Sequence, residues 1–251
     1  MTLKLLFIRH GESTGNQNKR MVGHLEDNLT AIGHRQCQQL AQYLCEQRWL
    51  PSHIYTSPLR RAVESLTCLL EPWAWTLPDR FNSEEQSLNL WQPMGAAEGT
   101  LSHITTMRPP QVKVSDALME FQTGILTGLT WAEAQHRYPD LCNALETSVD
   151  WVPIPQAETP QAGRDRAQQF LQHLLQTQGS DDAIWLISHH WIMEHLIAVL
   201  LGCDRTWQLT IPNTALFEFW IDRDRWFEAG TAPNISSFWQ IKRFGERPHL
   251  S

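Results

Sequence analysis

The chain has 251 residues, enough for one large domain or two small ones, and 42% of them are apolar, within the range of a globular protein with a real core. A net charge of −7 speaks against nucleic-acid binding, which favours a basic patch, and no apolar run approaches the length of a membrane helix. The five cysteines are scattered, with no CxxC pair, and read as reduced thiols; the N-terminus enters a strand-like run at once, without signal-peptide architecture, so the expected location is the cytoplasm.

In chain order, "LKLLFI" (3–8) is a short apolar run ending in polar loop residues, which suits a buried strand. "TAIGHRQCQQLAQYLCEQ" carries apolar positions at Ile32, Cys37, Leu40 and Leu44, with Thr30 as N-cap, and predicts a helix. "HIYTS" (53–57) predicts a second strand and "PLRRAVESLTCLLEPW" a helix with Pro58 in its first turn. From about 72 to 117 periodicity is weak and Pro, Gly, acid and Trp are mixed, which reads as an inserted subregion with a few short elements. "TWAEAQHRYPDL" and "QAGRDRAQQFLQHLLQTQ" predict helices, "AIWLIS" (183–188) a buried strand, and "HWIMEHLIAVLL" a helix after it. "ALFEFWID" and "SFWQIKRF" alternate as late strands do. The alternation of strand and helix predicts a single α/β domain over 1–251, a three-layer sandwich with a mostly parallel central sheet and helices on both faces.

Two predicted strands end in histidine, "LLFIRH" at His10 and "WLISHH" at His189 and His190, while a third, "IYTS", leads to Arg60 and Arg61 in the first turn of a helix. Open parallel sheets bind ligands beyond the carboxyl ends of their strands. If these strands are neighbours, imidazoles and guanidiniums converge on one spot. Guanidinium offers phosphate oxygens a planar fork of donors, and neighbouring cations keep an imidazole neutral and nucleophilic.

These segments resemble the histidine phosphatase superfamily, also called the phosphoglycerate mutase-like family. "RHGES" followed by "GN" matches its signature, and "NLTAIGHRQCQQLAQYL" resembles its first helix. "TSPLRRAVES" places the matching arginine at Arg61 and not Arg60, "LMEFQTGILTGLT" places its acid at Glu120, "ISH" matches the second histidine at His189, and "IPNTAL" resembles a late Pro-Asn segment. The resemblance implies that His10 takes the phosphoryl group as a phosphohistidine, that Arg9, Arg61 and His189 bind its oxygens, and that Asn16 and backbone N–H groups near Gly23 add donors. Glu120 would protonate the departing alkoxide and then take a proton from the attacking water, so its carboxyl must carry a proton at the start.

No cofactor and no metal are expected, because guanidiniums supply the positive charge. "HHWIMEH" does not change this: His190 and His195 are five apart and point to different faces of a helix. The family usually has glycine after its second histidine, where this chain has His190 followed by Trp191; such a residue would narrow the phosphate pocket or add a donor to it. Mutase members carry extra length between the acid and the second histidine; here the extra length precedes the acid, which resembles the hydrolase side, with the insertion as a lid. The expected activity is metal-independent hydrolysis of a small phosphorylated metabolite. The alternatives are a cofactor-dependent phosphoglycerate mutase and a catalytically silent phosphate-binding member. A homodimer is left open.

Overall fold

The computed structural model describes residues 2–77, 87–88, 109–226 and 238–250. A seven-stranded sheet is built from β1 (Leu3–Arg9), β2 (His53–Thr56), β3 (Ser87–Leu88), β4 (Gln111–Val114), β5 (Ala183–Ser188), β6 (Leu216–Ile221) and β7 (Trp239–Glu246), in the order β3-β4-β2-β5-β1-β6-β7. The central four strands, β4, β2, β5 and β1, are mutually parallel, whereas β3, β6 and β7 pair antiparallel at the two edges. The helices are α1 (Thr14–Gln17), α2 (Ala31–Glu46), α3 (Arg60–Leu70), α4 (Trp131–Arg137), α5 (Pro139–Thr147), α6 (Pro160–Thr177), α7 (His190–Leu200) and α8 (Arg223–Trp226).

Period-two alternation explains why the central strands are apolar throughout. Leu3, Leu5 and Phe7 of β1 join Ile184 and Leu186 of β5 in one core with α6 and α7. Leu6 and Ile8 join Trp185 and Ile187 in a second core with α2 and α3. The sheet is thus covered on both faces, as the α/β reading expects.

Several local expectations change. Pro58 lies outside α3, which starts at Arg60 with Leu59 as N-cap. The segment read as one helix from Thr130 breaks at Tyr138–Pro139, where proline lacks the N–H that would continue α4. In α2 the buried stripe is Gly33, Cys37, Leu40, Ala41 and Leu44, while Ile32 faces solvent. The ends of the 72–117 region belong to the core: Trp73 and Trp75 pack against the second cluster and β4 extends the parallel sheet. The rest of that region, including the expected lid, lies outside the described residues apart from β3.

Two glycines let α2 approach the loop after β1. A Cβ on Gly33 would sit 2.0 Å from Glu12 O, and one on Gly11 would sit 2.8 Å from Gly33 O. Glu12 O also accepts Thr30 N–H at 2.9 Å, so this contact fixes the path of the loop. Gly33→Ala is expected to push α2 away and cost about 1–3 kcal/mol, as overpacking does. A urea midpoint equal to that of the unmodified protein would show that the loop gives way freely.

Candidate active site

Parallel pairing of β1 with β5 sets Arg9 beside Ser188 and carries the next residues, His10 and His189, off adjacent strand ends. His10 N–H donates to Ser188 O at 3.1 Å, and the two imidazole centroids lie 4.9 Å apart. His10 Nδ1 is 2.7 Å from Gly11 O. A carbonyl can only accept, so the proton is on Nδ1 and Nε2 keeps its lone pair. Burial, and then the charges of Arg61 and Arg9, hold the His10 pKa well below 6.5, so the ring is neutral at neutral pH.

His189 is fully buried. Its Nε2 lies 2.8 Å from Ser57 Oγ, which itself accepts Leu59 N–H. With the Ser57 hydroxyl donating to Nε2, the His189 proton resides on Nδ1, a buried atom without a partner among the described residues. Burial, followed by the charge of Arg61, keeps this ring neutral as well.

The guanidiniums are anchored by main-chain carbonyls. Arg61, only 3% exposed, donates to Gly23 O at 2.9 Å and Leu25 O at 3.3 Å. Arg9 donates to Ile211 O. Arg60 behaves differently: it is exposed and paired with Glu64 one turn along α3, so the assignment of Arg61 over Arg60 is the one geometry favours. Gly23 adopts φ +54°, and a Cβ there would lie 3.0 Å from Thr123 Oγ1, so the carbonyl that holds Arg61 depends on glycine.

Glu120 Oε1 accepts N–H from Phe121 and from Trp191, each at 3.0 Å. Trp191 is in the first turn of α7, whose N-cap His189 offers no side-chain cap. The carboxyl therefore caps that helix from another segment through Oε1. A cavity of about 190 Å³ joins Arg9, His10, Asn16, Gly23, Arg61 and Glu120. Asn16 Oδ1 accepts from Ser13 N–H and from the Asn213 amide, which orients its amide nitrogen. A larger cavity, about 770 Å³, lies between β4 and α6; neither the paired imidazoles nor Arg9, Arg61 and Glu120 line it, so the smaller one is the candidate site.

His190 does not line the cavity. Its Nδ1 stands 3.4 Å from Arg9 Nη1 and its Nε2 3.4 Å from Glu194, so it touches the site through Arg9. Trp191 does line it. His195 is buried against Thr206, away from His190, and among the described residues no three His, Cys, Asp or Glu side chains group as metal ligands.

Sequence reading missed the supporting residues. Arg166 on α6 donates to Ala117 O at 3.0 Å and Met119 O at 2.7 Å, and is doubly bonded to Glu158. Glu158 N–H in turn holds Gln122 O, so this pair clamps both sides of Glu120. His24 Nε2 donates to Glu120 O at 2.7 Å. The sequence signal for Arg166 was its eight-residue offset from Glu158 across a helix start, which has no meaning until the helix is placed.

Comparison with known proteins bears on the family and the fold. The family model "Histidine phosphatase superfamily (branch 1)" matches residues 5–98 and 74–231. A 2,3-bisphosphoglycerate-dependent phosphoglycerate mutase of Corynebacterium efficiens is 33% identical over 95 residues, which span 34% of this chain and only 38% of the mutase. The α-ribazole phosphatase of Shigella flexneri superposes with a TM-score of 0.69 at 20% identity, covering 97% of this chain and 96% of that one. A phosphoserine phosphatase of Entamoeba histolytica, solved with 3-phosphoglyceric acid, gives 0.66 at 20% identity, covering 99% of this chain and all (100%) of its own. The chain belongs to the histidine phosphatase superfamily, branch 1.

Proposed function

We propose that the protein is a phosphomonoesterase that hydrolyses a small phosphorylated metabolite through a phosphohistidine, without a metal. The observation that carries the proposal is a neutral His10 whose Nδ1–H is committed to Gly11 O, leaving Nε2 as nucleophile in a cavity shared with two guanidiniums and a carboxyl.

In the first step Nε2 forms a bond to phosphorus as the ester P–O bond breaks, and Glu120 gives its proton to the leaving oxygen. Arg9, Arg61, Asn16 and the Nδ1–H of His189 donate to the phosphoryl oxygens, where charge is concentrated. The Gly11 carbonyl stabilises the positive charge that the imidazole acquires. In the second step water attacks phosphorus, Glu120 takes its proton, and His10 departs as the neutral ring. His190 contributes through Arg9. The mutase alternative draws on the curated relatives, but they share only about a third of the chain; phosphate release measured against isomerisation of 3-phosphoglycerate separates the two.

Across a phosphomonoester panel, phosphate release is expected to persist in chelator and to disappear in His10→Ala. Its acid limb, so far as His10 sets it, should lie well below pH 6.5, since the ring loses nucleophilicity only on protonation. Chelator-sensitive turnover, or turnover surviving His10→Ala, would rule out the mechanism.

Glu120→Gln should slow an alkyl phosphate by about 10²–10⁴-fold, the usual worth of general acid catalysis, and p-nitrophenyl phosphate far less, because its leaving group needs no proton. Equal losses on both esters would remove Glu120 from the role.

Arg166 acts through Glu120 as a positioning residue. Arg166→Ala is expected to lower kcat for the alkyl ester by roughly tenfold, within what small misplacement costs, and to add little in a Glu120→Gln background. An additive loss in the double variant would indicate a general structural role.

A further inference from the structure

The groups proposed to bind the phosphoryl share the cavity with lining residues of a different kind. Phe121 and Trp191 stand together with ring centroids 4.4 Å apart, and Met21 and Val22 add apolar surface. The Trp191 ring is fixed from behind: it packs edge-on to His195 at 4.1 Å and occupies the space a Cβ on Gly163 would need, 2.3 Å from its ring carbons. It therefore offers a rigid apolar surface beside the site of chemistry, at the position following the unusual His190.

Charge in the rest of the lining does not favour a second anion. The remaining lining cation among the described residues is Arg20, and its fork is spent on Glu133, at 2.8 and 3.2 Å, and on Gly128 O. Asp27 also lines the cavity, and its Oδ2 is buried without a donor among the described residues. Beyond the groups assigned to the phosphoryl, a carboxylate on the substrate would find among the described residues only an Arg20 already paired with Glu133, and Asp27, beside Arg61, adds negative charge to the same cavity.

Resting on the phosphatase reading, we infer that the substrate is a monophosphate ester of an uncharged, ring-bearing alcohol whose flat face lies on Phe121 and Trp191, and that phosphocarboxylates are disfavoured. Ring-on-ring contact contributes through area and geometry, while an unpaired carboxylate loses its hydration without a partner.

Three alkyl esters with similarly poor leaving groups test this: benzyl phosphate, propyl phosphate and 3-phosphoglycerate. In the unmodified protein kcat/KM for benzyl phosphate should exceed that for 3-phosphoglycerate by at least about tenfold, one ring contact and one unpaired charge being of that order. Trp191→Leu should cut the benzyl-to-propyl ratio by about fivefold, and Phe121→Leu should do the same to a lesser extent. Glu133→Gln keeps the acceptor that caps α4 but frees the charge of Arg20, and should raise 3-phosphoglycerate relative to propyl phosphate. If 3-phosphoglycerate equals or outruns benzyl phosphate, or if both aromatic variants leave the ratio unchanged, this substrate class is wrong while the phosphatase reading stands. No phosphate from any of the three esters would sink both.

Discussion

The site depends on two guanidiniums held in place by neutral oxygens. Arg61 is buried and donates to Gly23 O and Leu25 O; Arg9 donates to Ile211 O. A carboxylate in direct contact would have been the cheaper way to bury either charge, since an unpaired buried ion costs several kcal/mol. It would also have cancelled the field that an incoming phosphoryl group needs. Carbonyl dipoles take up N–H groups of both side chains without a carboxylate in hydrogen-bond contact with either, while Arg9 Nε is buried without a partner among the described residues. Burial first, and then the same charges, keep His10 and His189 unprotonated, so one arrangement supplies anion affinity and a free lone pair. The folding cost is borne by the two apolar cores on either side of the sheet.

The carboxyl at Glu120 is placed by a different device. Helix α7 begins at His190 with no side-chain cap from His189, whose ring is turned to Ser57. The first-turn N–H of Trp191 is left for Glu120, and the segment bearing Glu120 is tied down by Arg166, Glu158 and His24. Helix start and carboxyl are thus hydrogen-bonded to each other, and the second imidazole, held by Ser57, sits on the residue that precedes the helix. Shifting the helix start moves the carboxyl, so Arg166, a residue on α6 that does not line the cavity, bears on the position of Glu120 within it.

Much of this was legible in the sequence, and the reasons are physical. Strands β1 and β5 are buried on both faces, so their continuous apolar runs stand out, and the histidines that end them are conspicuous. Helices α2 and α6 have Thr caps and clear stripes. The break at Pro139 was readable but was passed over in favour of the continuous apolar pattern. Strand β4 was hidden because it has four residues inside a segment without periodicity. The supporting contacts were out of reach for another reason: Ser57, Asn213 and Arg166 act across 132, 197 and 47 residues of chain. Only strand pairing, parallel for Ser57 and antiparallel for Asn213, and helix docking bring such partners together. His190 shows the limit of reading by adjacency. Its place beside His189 suggested the cavity, but the first helical turn directs it to Arg9 and Glu194.

The groups proposed to handle phosphorus and those proposed to face the rest of the substrate are built from different material. The first set is fixed by backbone: strand ends, a glycine at φ +54°, carbonyl anchors and a helix N-terminus. Few side-chain changes there leave the chemistry possible. The second set consists of side chains that project from those elements and rest on replaceable neighbours, as Trp191 rests on Gly163 and His195. A change in the second set alters what lies against the leaving group without moving the nucleophile. Trp191 joins the two, because its main-chain N–H belongs to the carboxyl and its ring to the wall. The wall is therefore positioned by the same helix start that holds Glu120, and a change of the Trp191 ring alters the wall while the main-chain N–H that holds the carboxyl stays where the fold has put it.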